Sequence, residues 1–199
     1  MEYLVQFDHS LFALLNGSLT SGFLDWFMPF ITDAKNWMPM IVLAWLAMVF
    51  SGRPRLRIMA LAVLVSVVFT DLFCGQIIKK AVGRRRPCAL AQETDFKCRL
   101  LLPMKTSKSF PSNHAANTAA FAAAVVTMCG WQAGLPFIAI AFLIGYSRVY
   151  VGVHFPLDVA AGWLIGSLLA IAVCRAIRRR WPVAPPPVTN ESPQSPVQP

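Results

Sequence analysis

The chain has 199 residues, 56% of them hydrophobic and only 14% charged, with a formal net charge of +9 and a mean hydropathy of +0.56. A soluble domain carries about 25% charged residues, so this composition excludes an ordinary soluble enzyme. Apolar residues run in blocks, Ile58 to Ile78, Phe137 to Tyr146 and Val159 to Val173 among them, and a bilayer-crossing helix needs about 20 such residues. The expected fold is all-α, a polytopic membrane bundle of five to six transmembrane helices, because open sheet edges cannot be satisfied in lipid.

In chain order, residues 1–34 read as an N-terminal interfacial or re-entrant unit, or as a first transmembrane segment. Residues 3–16 are weakly amphipathic and suit the bilayer interface. Residues 21–34 are apolar but short and contain Asp25 and Asp33; counting them as a crossing gives six spans, and omitting them gives five with the N-terminus outside. No basic stretch precedes the first apolar run, so a cleaved signal peptide is not expected. Residues 35–180 form the membrane core, with spans at about 36–51, 56–80, 113–130, 133–150 and 155–178. The loop 83–111, opened by Gly83 and closed by Pro111, lies within it. Residues 181–199 are Pro-rich and without periodicity, the pattern of a disordered cytoplasmic tail.

Charge sets the orientation. Arg53, Arg55 and Arg57, and Arg175 with Arg178 to Arg180, flank spans and read as cytoplasmic by the positive-inside rule. Tracing inward puts Lys79–Ser112 and Tyr150–His154 together on the external face, periplasmic or extracellular. That segment is itself cationic, against the rule, so it is expected to bind a negatively charged group there. Of five cysteines, Cys74, Cys129 and Cys174 fall in spans and suit packing. Cys88 and Cys98 lie in the external loop, either as a disulfide that an oxidising compartment permits or as two unpaired thiols.

Only three histidines occur, and two of them sit in polar clusters. Pro111-Ser112-Asn113-His114 opens a helix, with Ser112 as its N-cap and free backbone N–H groups that make an anion site. His154-Phe155-Pro156 opens the last helix, Pro156 suiting its first turn, so two helix N-termini are expected to hold one phosphate from two sides. Asp158, one turn beyond His154, can accept a ring N–H bond and leave the other nitrogen free to attack. Arg148, Arg86 and Lys79 supply cations for phosphoryl oxygens. No carboxylate cluster suggests a metal, and no cofactor is expected.

Bland readings stand beside these. Arg84 and Arg85 read either as solvated or headgroup-facing charges or as substrate contacts. Asp71 and Gln76, inside a span, read first as helix–helix hydrogen-bonding groups, and His9 as an interfacial residue.

The three clusters, Lys79…Arg86-Pro87, Pro111-Ser112-Asn113-His114 and Ser147-Arg148…His154…Asp158, resemble the motifs of the type 2 phosphatidic acid phosphatase superfamily. The resemblance covers residues 56 to 178, and Asn113 stands where the family usually has glycine. It implies a metal-independent phosphatase in which His154 attacks phosphorus, Asp158 orients it, and His114 protonates the leaving oxygen and then activates water. Lys79, Arg86, Ser112, Asn113 and Arg148 would hold the phosphoryl oxygens. Undecaprenyl diphosphate is the preferred substrate, with phosphatidylglycerophosphate, phosphatidic acid and lipid A phosphates as alternatives. The expected partners are a lipid phosphate and the bilayer, with no nucleic acid and no obligate protein. Two other classes stand against this reading. A vanadate-dependent haloperoxidase would share the constellation, but those relatives are soluble and larger; a non-catalytic lipid-binding protein would leave His114, His154 and Asp158 without a purpose.

Overall fold

The computed structural model describes residues 2–182, so the expected disordered tail lies mostly outside the described residues. Within them the chain is all-helical, with no strand. In chain order α1 is Glu2–Phe12, α2 Gly22–Thr32, α3 Met38–Phe50, α4 Pro54–Leu72, α5 Lys79–Val82, α6 Pro87–Glu93, α7 Asn113–Cys129, α8 Trp131–Tyr150 and α9 Pro156–Arg180. A π-helical turn, Phe73–Ile78, joins α4 to α5, and such turns cluster at functional positions. Gly83, at φ 64°, ends α5 in the left-handed region that glycine tolerates.

Three helical stretches are long and apolar enough to cross a membrane: the α4 run beginning at Pro54, α8 and α9. Helix α3 is apolar but has 13 residues, and α7 has 17. Helix α2 has 11 residues, which rise about 16 Å against a hydrocarbon core of about 30 Å. It packs on α8, where Leu24, Phe27, Met28 and Ile31 meet Leu143, Tyr146 and Tyr150.

Helix α7 is central because its sequence is small. Ala115, Ala116, Ala119, Ala120, Ala122 and Ala124 are all buried, and this alanine surface lets α4, α8 and α9 approach closely. On α9, Gly162 and Gly166 receive it: a Cβ at Gly162 would stand 2.7 Å from the Ser112 carbonyl oxygen, and one at Gly166 would run into the Ala116 backbone. Small residues four apart are the usual basis of close helix packing in lipid, where apolar burial between helices contributes little. The outer surface is apolar in compensation, with Leu61, Leu64, Phe69, Phe142, Leu164 and Leu168 exposed.

The bundle has two unlike ends. Arg57 Nε donates to the Val49 carbonyl at 3.0 Å and Arg178 Nη1 to that of Thr127 at 2.9 Å, so both arginine clusters lie at one end. At the other end the α4–α5 run finishes, α7 begins, α8 finishes and α9 begins. Helix α1 covers this second end, with Phe12 packed among Val149, Phe155 and Val159.

Candidate active site

Alternating helix direction brings all three motifs to that second end. Arg86, Ser112, Arg148, His154 and Asp158 are buried there; Lys79, Asn113 and His114 are half-buried. The chain turns sharply after α8, and the N–H of His154 donates to the Arg148 carbonyl at 3.3 Å. The α7 and α9 starts are tied together by the Ser112 N–H, which donates to the Asp158 carbonyl at 2.9 Å.

The two nitrogens of His154 face different partners. Arg86 Nη1 is 3.0 Å from Nε2. Guanidinium can only donate, so Nε2 carries the lone pair and Nδ1 the proton. Nδ1 is 3.7 Å from Asp158 Oδ2, longer than the direct hydrogen bond expected. Ser109 stands between them: its Oγ is 3.4 Å from Nδ1 and donates to Asp158 Oδ2 in a short bond. Burial pushes the His154 imidazole down to about 3, Arg86 and Arg148 act in the same direction, and Asp158 opposes only in part. The ring is thus neutral at ordinary pH, its Nε2 electron pair accepting from Arg86.

Arg86 is fixed by protein atoms alone. Its Nε donates to the Ser107 carbonyl at 2.7 Å, Nη2 to Ser107 Oγ at 3.0 Å, and Nη1 to the Val153 carbonyl at 2.7 Å. Arg148 Nη1 donates to Thr32 Oγ1 at 2.8 Å, while its buried Nε has no partner. Lys79 Nζ donates to the Pro111 carbonyl at 2.8 Å and that of Lys108 at 3.2 Å. Among the described residues none of these three cations forms a salt bridge, the ion pairs belonging to Arg84, Arg85, Arg99 and His154. His114 lies within electrostatic reach of Arg148, Lys105, Arg86 and Lys79.

Several expectations need correction. Ser112 holds the N-cap position of α7, but its side chain makes no capping bond; the buried Oγ has no protein partner. Only one helix start is open to an anion. On α9 the Phe155 N–H donates to Asp158 Oδ2 at 2.9 Å, and the Leu157 N–H to Asp8 Oδ1 at 2.9 Å. On α7 the first N–H groups have no intrahelical acceptor. Asn113 turns its side chain away, its Nδ2 donating to Asp71 Oδ1 at 2.9 Å, where Asn117 also donates at 2.8 Å. Asp71 is therefore a helix–helix linker, as its first reading had it, and Asn113 can face an anion only with its backbone.

Arg84 neither floats in solvent nor faces outward. Its Nη1 donates to Asp158 Oδ1 at 2.8 Å and its Nη2 to Asp8 Oδ2 at 2.5 Å, whereas exposed Arg85 pairs with Glu93. Cys88 and Cys98 are free thiols; Cys98 Sγ donates to the Gly152 carbonyl at 3.4 Å, and burial pushes its thiol up to about 12. Sequence reasoning missed Ser109, Ser107 and Asp8. The first two sit in the same serine-rich approach to Pro111, which was a usable signal; Asp8 had none beyond being acidic on an apolar segment. Among the described residues no group of three or more His, Cys, Asp or Glu side chains is placed to hold a metal ion.

A family model described as the PAP2 superfamily matches residues 55–182. The chain belongs to the PAP2 superfamily. It is 33% identical over 173 residues to an undecaprenyl-diphosphatase of Sulfolobus acidocaldarius, covering 85% of this chain and 78% of that one. A lipid A 4'-phosphatase of Bacteroides thetaiotaomicron is 31% identical over 173 residues, covering 84% and 75% respectively. Among solved structures, Aquifex aeolicus LpxE is similar with a TM-score of 0.63 at 28% identity, covering 83% of this chain and 93% of that one. A transmembrane PAP2-type phosphatidylglycerolphosphate phosphatase from Bacillus subtilis shares the fold, with a TM-score of 0.70 at 24% identity over 91% of this chain and 89% of that one. As a PAP2 superfamily member this integral membrane protein is a phosphatase, hence a hydrolase.

Proposed function

We propose that this phosphatase cleaves a lipid diphosphate, undecaprenyl diphosphate first, through a phosphohistidine on His154. The carrying observation is the lone-pair nitrogen of a neutral, buried imidazole beside cations that have no carboxylate of their own. Unpaired buried charge is expensive, and a phosphoryl group is the anion whose oxygens suit Arg86, Arg148 and Lys79. The Ser112 hydroxyl and the backbone N–H groups of Asn113 and His114 would complete the cradle.

In this reading the Arg86 N–H moves from Nε2 to a phosphoryl oxygen, Nε2 attacks the terminal phosphorus and the bridging P–O bond breaks. His114, held as the imidazolium by the bound phosphate anion, gives its proton to the departing lipid phosphate. His114, now neutral, takes a proton from water, the water oxygen bonds to phosphorus, and the P–N bond breaks to release inorganic phosphate. Asp158, through Ser109, balances the charge on the imidazole while phosphorus is attached. No step uses a metal.

The arginine-rich end is assigned to the cytoplasm and the site to the external face. The packing of α2 on α8 at the site end, beside α1, supports five crossings (α3, α4, α7, α8 and α9), with α1 and α2 as external cover. The substrate preference is supported by the similarity to the Sulfolobus diphosphatase. A lipid A phosphatase is the second reading, favoured by the nearly equal similarity to the Bacteroides relative.

Phosphate release from a panel of lipids tests both. The purified protein should release phosphate from undecaprenyl diphosphate in the presence of chelator, and His154→Ala should lose roughly 10⁴-fold or more of that rate. Release from lipid A alone would select the second reading; undiminished turnover by His154→Ala would end the phosphohistidine reading.

A further inference from the structure

We infer that Asp8 and Arg84 form a positioning relay that holds the Asp158 carboxylate for the nucleophile, making α1 a working part of the site. The inference rests on the reading of His154 as nucleophile. It starts from how the two oxygens of Asp158 are divided. Oδ2 accepts from the Phe155 N–H at 2.9 Å and from Ser109, and faces His154 Nδ1. Oδ1 accepts from Arg84 Nη1 at 2.8 Å. The rotation of the carboxylate, and with it the direction of Oδ2, is therefore set by Arg84 together with Phe155 and Ser109.

Arg84 is itself held from three directions. Its Nη2 donates to Asp8 Oδ2 at 2.5 Å, its Cζ lies 4.3 Å over the ring of Phe155, and its backbone carbonyl accepts from the Ser109 N–H at 2.8 Å. Phe155 follows His154 in the chain, and Ser109 bridges His154 to Asp158. Arg84 thus touches each support of the nucleophile but not the nucleophile. Asp8 is fully buried and uses its other oxygen on the Leu157 N–H at 2.9 Å, so it fixes the start of α9 and the guanidinium together.

The arrangement has an electrostatic consequence. Two buried carboxylates share one guanidinium, whose planar fork can serve both, as an ammonium cannot. When Nε2 bonds to phosphorus, the imidazole gains positive charge that Asp158 must balance. With Asp8 present, part of the Arg84 charge is already matched. Without Asp8, all of it falls on Asp158 and competes with the imidazole for the same carboxylate. A staple that only held α1 in place would have no such effect on the chemical step.

The full-length protein in detergent, assayed for phosphate release from undecaprenyl diphosphate, distinguishes the two. Asp8→Asn should lower kcat per folded molecule about tenfold or more while KM stays within about twofold, since the relay touches no substrate. Arg84→Lys should do the same, and the double variant should be little worse than the weaker single, because the two residues act as a unit. Wild-type kcat in Asp8→Asn, a raised KM with kcat unchanged, or multiplicative losses in the double variant would each overturn the relay. Should Asp8→Asn not fold, Arg84→Lys, whose side chain is 23% exposed, carries the test with the same criteria. His154→Ala is measured alongside: activity there removes the underlying reading, whereas an inactive His154→Ala beside a fully active Asp8→Asn removes only the relay.

Discussion

Arg86 Nη1 stands 3.0 Å from His154 Nε2, so the guanidinium meets the nucleophile at the same atom that would bond to phosphorus. Ser107 and Val153 take three of its other four N–H groups, which leaves one on Nη2 for a phosphoryl oxygen. The charge is therefore in place before any substrate arrives, the condition under which electrostatic stabilisation is strongest.

Arg86→Lys keeps the charge and loses the fork. A lysine cannot reach Ser107, Val153 and a phosphoryl oxygen together, so kcat should fall roughly 10²-fold. Steady-state phosphate release measures it; a loss confined to KM would mean that Arg86 only recruits substrate.

The depressed His154 value has a consequence for stability. Folded, the ring takes a proton only near pH 3; unfolded, it does so near its ordinary 6.5. Between these the unfolded chain binds more protons, so stability falls as pH drops through that window and is complete above it. Melting temperature in detergent should decline less steeply from pH 7 to 5 for His154→Gln than for the parent. Parallel slopes would contradict a buried neutral ring.

Gly162→Ala places a Cβ 2.7 Å from the Ser112 carbonyl oxygen. Helices α7 and α9 must part, at a cost of about 1–3 kcal/mol, and the separation falls where Ser112 N–H meets the Asp158 carbonyl. Both melting temperature and kcat should drop. A variant as stable as the parent would show that the contact is loose.

Orientation is open to chemical labelling. Lys105 is exposed in the loop before α7, so a cysteine there, in a Cys98→Ser background, should react with an impermeant maleimide added to intact cells. The buried parental Cys88 should stay silent. Labelling only after permeabilisation would reverse the proposed sidedness.

Composition and periodicity alone carried the helical membrane class and the approximate bounds of α3, α4, α7, α8 and α9. In lipid the backbone must satisfy itself, and long apolar blocks leave few alternatives to helices. The histidine, serine and arginine clusters were equally legible, because charged and nucleophilic groups are scarce in so apolar a chain. Their convergence then followed from the alternating direction of successive helices. Local pattern does not encode which partner a side chain meets from a distant segment. Ser109 between His154 and Asp158, Arg84 turned inward, Asp8 closing the start of α9 and Asn113 drawn to Asp71 all depend on packing between elements far apart in the chain. Those contacts came only with tertiary structure, since hydrogen-bond direction is set by how helices are rotated and spaced, and here the alanine and glycine faces of α7 and α9 set that spacing.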